Sequence, residues 1–144
     1  MKKIIAAMAL ALLAIGNSFA AGDEYYVLSK QQPVNGIIKK ESMLYMLEPS
    51  RPCPYDFPSY RSLHSAFIFN PALKKAVPGC WGVTHDPSRA GVIVLGKDGS
   101  VSPELNLMNL YRVEATEDGV KVLGPAMTYD QYQQNIEDYK KQLR

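Results

Sequence analysis

His85 and Asp86 stand side by side, and His64 lies between Ser62 and Ser65. These are the residue types of a small hydrolase: imidazole exchanges protons near neutral pH, a carboxylate orients it, and a hydroxyl attacks. Their spacing argues for something plainer. Asp86 precedes Pro87 in the polar stretch 85–90, where Asp is a common turn former, and adjacent side chains rarely point so as to form a relay. His64, beside Leu63 and ahead of an apolar run, reads as a partly buried polar residue. Glu114, Glu117 and Asp118 flank an apparent hairpin turn, the usual place for a solvated rim. The chain has no Gly-x-Ser-x-Gly, His-Glu-x-x-His, Walker or Cys-x-x-Cys motif. Gly96-Lys97-Asp98-Gly99 lacks the preceding glycine and following helix of a phosphate cradle and reads as a turn. No cofactor is implied.

How Cys53 and Cys80 read depends on compartment. Met1-Lys2-Lys3 is a short basic segment, residues 4–15 are uninterruptedly apolar, and Gly16-Asn17 breaks the run before Ser18-Phe19-Ala20. That is the pattern of a secretory signal cut after Ala20. An uncleaved anchor is the rival reading, but twelve helical residues span about 18 Å against a bilayer core of ~30 Å. No cysteine follows the cut to carry a lipid. The expectation is export to the periplasm, with release from the cell as the alternative, and no integral membrane segment after cleavage.

Removing residues 1–20 from 144 leaves 124, one small domain over 21–144. Lys2 and Lys3 leave with the signal, so 14 of the 16 basic residues remain against 14 acidic ones. A chain without net charge is a poor candidate for nucleic-acid binding or for a polybasic membrane sensor, both of which need a concentrated positive field. With 47% hydrophobic and 21% charged residues, it is neither disordered in composition nor a bundle of membrane spans.

In an oxidising compartment the only two cysteines read as a structural disulfide, whose ring contributes ~3–4 kcal/mol in the loop-entropy account. The rivals are a metal site and a catalytic thiol. A metal needs about four ligands, and Cys53 and Cys80 with scattered His64 and His85 lack zinc-type spacing. A nucleophilic thiol would have to stay reduced beside a second one.

The elements that position these residues are mostly strands. Residues 25–28 form a short strand, Pro33-Val34-Asn35-Gly36 a turn, and 42–47 a continuous apolar strand bounded by Glu48-Pro49. Pro49, Pro52, Pro54 and Pro58 then impose a constrained loop that is neither helix nor central strand. Residues 65–69 are β-like, 72–77 extend or make a helical turn, and Pro78-Gly79 stops them. Strands follow at 81–84, 91–95 and 100–102, with Gly99 supplying positive φ in the connecting turn. Residues 110–115 and 120–123 alternate apolar and polar around Glu117-Asp118-Gly119, a second hairpin. Thr128-Tyr129-Asp130-Gln131 is a capping box, and Tyr129, Tyr132, Ile136, Tyr139 and Leu143 make one helical stripe expected to pack on the sheet. The fold class is mainly β (α+β): a small antiparallel sheet or open barrel of hairpins, one C-terminal amphipathic helix and one disulfide.

Nine Tyr and one Trp are present, and Tyr55, Phe57 and Tyr60 concentrate in the proline loop. Tyr buries its ring while its hydroxyl stays wet, which suits recognition, and prolines lower the ordering cost of presenting such rings. The plainer alternative is that these rings roof the core. Trp81, after Cys80, reads as core packed on the disulfide.

Pro52-Cys53-Pro54, Ala66-Phe67-Ile68-Phe69, Gly79-Cys80-Trp81, Val92-Ile93-Val94 and Asp98-Gly99 together resemble a pattern in small exported proteins of proteobacteria and their phages. The resemblance covers residues 42–102. It implies pairing of Cys53 with Cys80 and a compact β domain, and carries no activity. The functional expectation is a non-enzymatic interaction module that binds a protein or envelope component, inhibition of an enzyme being one version of that role. The alternatives are a subunit docking through the C-terminal helix and a small cell-envelope hydrolase using His64 or His85.

Overall fold

The computed structural model describes residues 23–58, 60–70 and 75–144; the expected signal, residues 1–20, lies outside the described residues. The elements are β1 (Glu24–Ser29), β2 (Ile37–Lys39), β3 (Met43–Pro52), β4 (His64–Asn70), β5 (Lys75–Val83), β6 (Gly91–Gly96), β7 (Leu105–Asn106), β8 (Tyr111–Ala115), β9 (Gly119–Pro125) and α1 (Tyr129–Gln142). One antiparallel sheet in the order β2-β9-β8-β1-β3-β4-β5-β6-β7 curls into an open half-barrel. The expected class holds: mainly β, one C-terminal helix, one disulfide.

Burial on both faces explains the composition of the central strands. Tyr26, Leu28, Tyr45, Leu47, Ala66, Trp81, Val92 and Val94 meet Leu105, Leu107 and Leu110 on one side. Tyr25, Val27, Met46 and Phe67 meet Ile38, Val113 and Val120 on the other. A strand covered on both faces has no polar alternation to show, which is why β3 begins as the unbroken run Met43-Leu44-Tyr45-Met46-Leu47. β8 is covered on one face only, with Val113 buried and Arg112 and Glu114 partly exposed. Alternation is visible there.

Turn chemistry follows the sequence. Val34 and Ile37 exchange both backbone hydrogen bonds at 3.0 Å around Asn35 (φ 52°) and Gly36 (φ 74°), the left-handed pair that a two-residue hairpin requires. Thr128 Oγ accepts from Gln131 N at 3.2 Å and Gln131 Oε1 accepts from Thr128 N at 2.8 Å, so the expected capping box closes the first turn of α1.

Several expectations are corrected. Pro78-Gly79 does not end a segment: β5 runs from Lys75 to Val83, with Pro78 opposite Phe67. Residues 72–74 of the segment expected before it lie outside the described residues. Pro78 is tolerated because its carbonyl, which accepts from Lys97 N at 2.9 Å, faces the β6 side just past the first β6 pair, Gly79 with Gly96. Its missing N–H therefore faces the end of a ladder and breaks no rung to β4. Strand β3 does not stop at Glu48-Pro49 but continues to Pro52, with its register to β4 shifting between Leu47 and Pro52. The irregularity absorbs prolines that a regular ladder would reject.

Residues 100–102 form no full strand: Val101 makes one bridge to Leu95, and Ser102 bonds Val94. The short strand β7, unforeseen in sequence, pairs with Gly91 and Val92 instead. Trp81 belongs to the core, 6.1 Å from Tyr26 between ring centroids, but on the face of β5 opposite the Cys80 side chain rather than on the disulfide. The stripe of α1 is only half covered. Tyr132 and Ile136 are partly buried, Tyr129, Tyr139 and Leu143 are exposed, and no residue of the helix is buried.

Candidate functional site

The proline loop is closed at its base by two bonds. Cys53, just past β3, is joined to Cys80 on β5 by a disulfide with a Cα–Cα distance of 5.4 Å. Cys53 N also donates to Leu63 O at 2.9 Å, so residues 53–63 leave and rejoin the sheet at one point. Inside the loop, Tyr55 N donates to Cys53 Sγ at 3.4 Å and Tyr60 N to Phe57 O at 3.1 Å.

The rings this loop carries pack on one another. Tyr55 and Phe57 meet edge to face, 6.5 Å between centroids at 84°. Lys97 Nζ lies 5.2 Å from the Tyr55 centroid, a cation over a ring face. Tyr60 is 47% exposed. Tyr55 and Phe57 are half-buried, and among the described residues neither they nor Tyr60 is a member of either buried cluster. Lys97 was not legible as part of this site, because only the fold brings the β6 turn beside residue 55. Its place is fixed by the bond from its N–H to Pro78 O and by the turn that follows, in which Gly99 N donates to Gly96 O at 3.0 Å with Gly99 at φ 87°.

The residues suited to hydrolysis are not assembled. Asp86 turns its carboxylate on its own loop: Oδ1 accepts from Ser88 N at 3.2 Å and Oδ2 from the Ser88 hydroxyl. That hydroxyl, against the opposing effect of burial and with help from the N–H groups of Ser88, Gly91 and Ala90, holds the carboxyl below the usual range. Arg89, at φ 55°, donates its N–H to Asp86 O at 2.9 Å and completes the turn that the sequence suggested. The His64 ring lies 5.3 Å from that of Trp81, and His85 is exposed. Ser65 is buried on the face of β4 opposite His64, and Ser62 is exposed. Among the described residues, no hydrogen bond links either histidine to Ser62, Ser65 or Asp86. Glu114 pairs with Lys121 at 3.8 Å, while Glu117 and Asp118 are exposed at the hairpin tip.

Two further features were not foreseen. Glu48, expected to bound a strand, is 3% exposed. Its Oε1 lies 3.5 Å from Arg51 Nη1, and among the described residues its Oε2 has no hydrogen-bond partner. Burial, with the nearby carboxylates of Asp23 and Glu48 adding to it, raises the Tyr25 hydroxyl above its ordinary pKa. Asn135 Nδ2 donates to Ser88 O at 2.6 Å and ties α1 to the β5–β6 connection. The cleft beside this bond holds His85, Arg89, Asp138 and Tyr139.

No known protein family, curated protein or solved structure matches this chain. Among the described residues, no helix is long and apolar enough to cross a membrane. The disulfide fits a chain that matures outside the reducing cytosol.

Proposed function

We propose that this chain is a non-enzymatic interaction module of the periplasm, with release from the cell as the alternative, and that Tyr55, Phe57 and Tyr60 present its binding surface to a protein or envelope component. The resemblance of residues 42–102 to small exported proteins is consistent with this location. The carrying observation is a pair of aromatic rings held outside both cores by a disulfide and a lysine. Rings ordered before contact lose little entropy on binding, and Tyr and Phe supply apolar area at the centre of interfaces. A hydrolytic role has weaker support, because the Asp86 carboxylate is occupied by Ser88 and His64 lies against Trp81.

The test immobilises the disulfide-bonded chain and a Tyr55→Ala/Phe57→Ala variant, and exposes both to envelope extract under conditions that retain micromolar binders. A component held by the first and reduced about ten-fold on the second, about 1.4 kcal/mol, supports the reading. Equal retention by both, or by neither, overturns it.

A second reading, a subunit docking through α1, rests on the exposed stripe residues Tyr129, Tyr139 and Leu143. Light scattering on the whole chain and on one truncated before Thr128 separates the two. A mass above the monomer that falls on truncation favours docking.

A further inference from the structure

On the β1–β8–β9 part of the sheet, four to six strands from β6 in the sheet order, two cavities of about 570 and 330 Å³ adjoin and share Gln31 and Gln32. We propose that together they form a groove for an oligosaccharide bearing acetamido groups, a site distinct from the proline loop. The argument rests on which hydrogen-bonding groups the fold has already used. Gln31 Oε1 accepts from the hydroxyl of buried Ser42 at 3.0 Å, and Gln32 Oε1 accepts from Tyr111 Oη at 2.9 Å. Ser29 Oγ donates to Gln31 O at 2.8 Å and holds the backbone between them. Both glutamines are exposed, each accepts a hydroxyl hydrogen bond at its Oε1, and among the described residues neither Nε2 has a protein partner, so both are open to a ligand.

The remaining charges on the walls are donors too. Lys30 lines one cavity and Lys39 the other, and no carboxylate lines either. The lysines and the two glutamine Nε2 groups favour a ligand rich in acceptors, while the Asn35 and Asn109 carbonyls can take a hydrogen bond from its amide N–H. The two shared glutamine amides, with Asn109 and one lysine in the first cavity, Asn35 and one lysine in the second, and no guanidinium in either, suit carbonyl and hydroxyl oxygens better than a dense anion such as phosphate. The walls decide the class further. The partly buried Tyr111 ring, Met108 and Pro125 on one side and Val34 and Ile37 on the other are apolar surfaces beside fixed donors. The C–H face of a sugar ring and the methyl of an acetamido group match such walls, while the acetamido carbonyl accepts from the free Nε2–H.

The test is a titration of the isotope-labelled, disulfide-bonded chain with chitotetraose, followed by amide and side-chain NMR, with cellotetraose as the sugar lacking acetamido groups. The expected result is a saturable shift centred on Gln31, Gln32, Asn109 and Tyr111 with chitotetraose, and binding at least about ten-fold weaker with cellotetraose. Gln32→Glu keeps an acceptor for Tyr111 but removes the free donor, and is expected to weaken chitotetraose about ten-fold or more. Gln31→Leu, monitored by the same spectra for folding, is expected to do likewise. No saturable shift up to about 10 mM sugar, equal binding of both sugars, or unchanged binding by both folded variants overturns the proposal. Retention on the proline loop is scored separately, so either site can fail without the other.

Discussion

Ser102 takes the place of a strand beside Val94: its Oγ accepts Val94 N–H at 2.9 Å, while its own N–H donates to Val94 O at 2.9 Å. One residue thereby completes a rung of β6 where the chain has already left the sheet. Ser102→Ala keeps the backbone bond but leaves the buried Val94 N–H without an acceptor. The expected loss is about 1–3 kcal/mol, read as a lower urea midpoint at unchanged slope. A midpoint that does not move would mean that another acceptor replaces the hydroxyl.

The bridge between Cys53 and Cys80 closes a loop of sequence separation 27. Comparing Cys53→Ala/Cys80→Ala with the oxidised chain should show a loss of about 3–4 kcal/mol, mostly through a less constrained unfolded state, plus a packing penalty at fully buried Cys80. Hydrogen exchange should rise most across residues 53–63.

Removing the cap of α1 should act locally. Thr128→Ala is expected to cost the helix about 1 kcal/mol. Because no residue of α1 is buried, exchange should accelerate along 129–142 while the thermal midpoint of the sheet stays nearly constant. A parallel drop in the sheet's midpoint would show that helix and sheet unfold together.

The pH dependence has opposite signs at its two ends. Tyr25 and Tyr26 are raised above the usual 10.0, first by burial and then by neighbouring carboxylates, so the fold favours the neutral phenols. Their contribution is complete below pH 10 and is lost as pH rises through the raised values. Asp86 is lowered below the usual 3.8, so its contribution is complete above about pH 4 and is lost as pH falls through the lowered value. Denaturation followed across pH, with tyrosinate absorbance at the alkaline end, should show both slopes. Tyr25→Phe should flatten the alkaline one.

Much of the architecture could be read from local chemistry. Asn35-Gly36, Gly99, Thr128 with Gln131, and the alternation in residues 110–115 each mark structure through their own backbone preferences. What escaped reading depends on partners distant in sequence. Pro78 looks like a breaker until its carbonyl is seen to face the end of a ladder, and Glu48 looks like a boundary until both faces of β3 are covered. Site residues divide the same way. The aromatic content of the proline loop is visible in the chain, whereas Lys97 over Tyr55 and Tyr111 on Gln32 are contacts made across 42 and 79 positions.

The first and last members of the sheet, β2 with three residues and β7 with two, have a consequence for how this molecule meets others. A visiting chain that tried to extend the ladder would find too few free amides and carbonyls in a row to zip onto, at either border. Nine strands can therefore coexist with resistance to fibril-like stacking, and encounters with other molecules fall to side chains on the surface rather than to the exposed backbone of the hem.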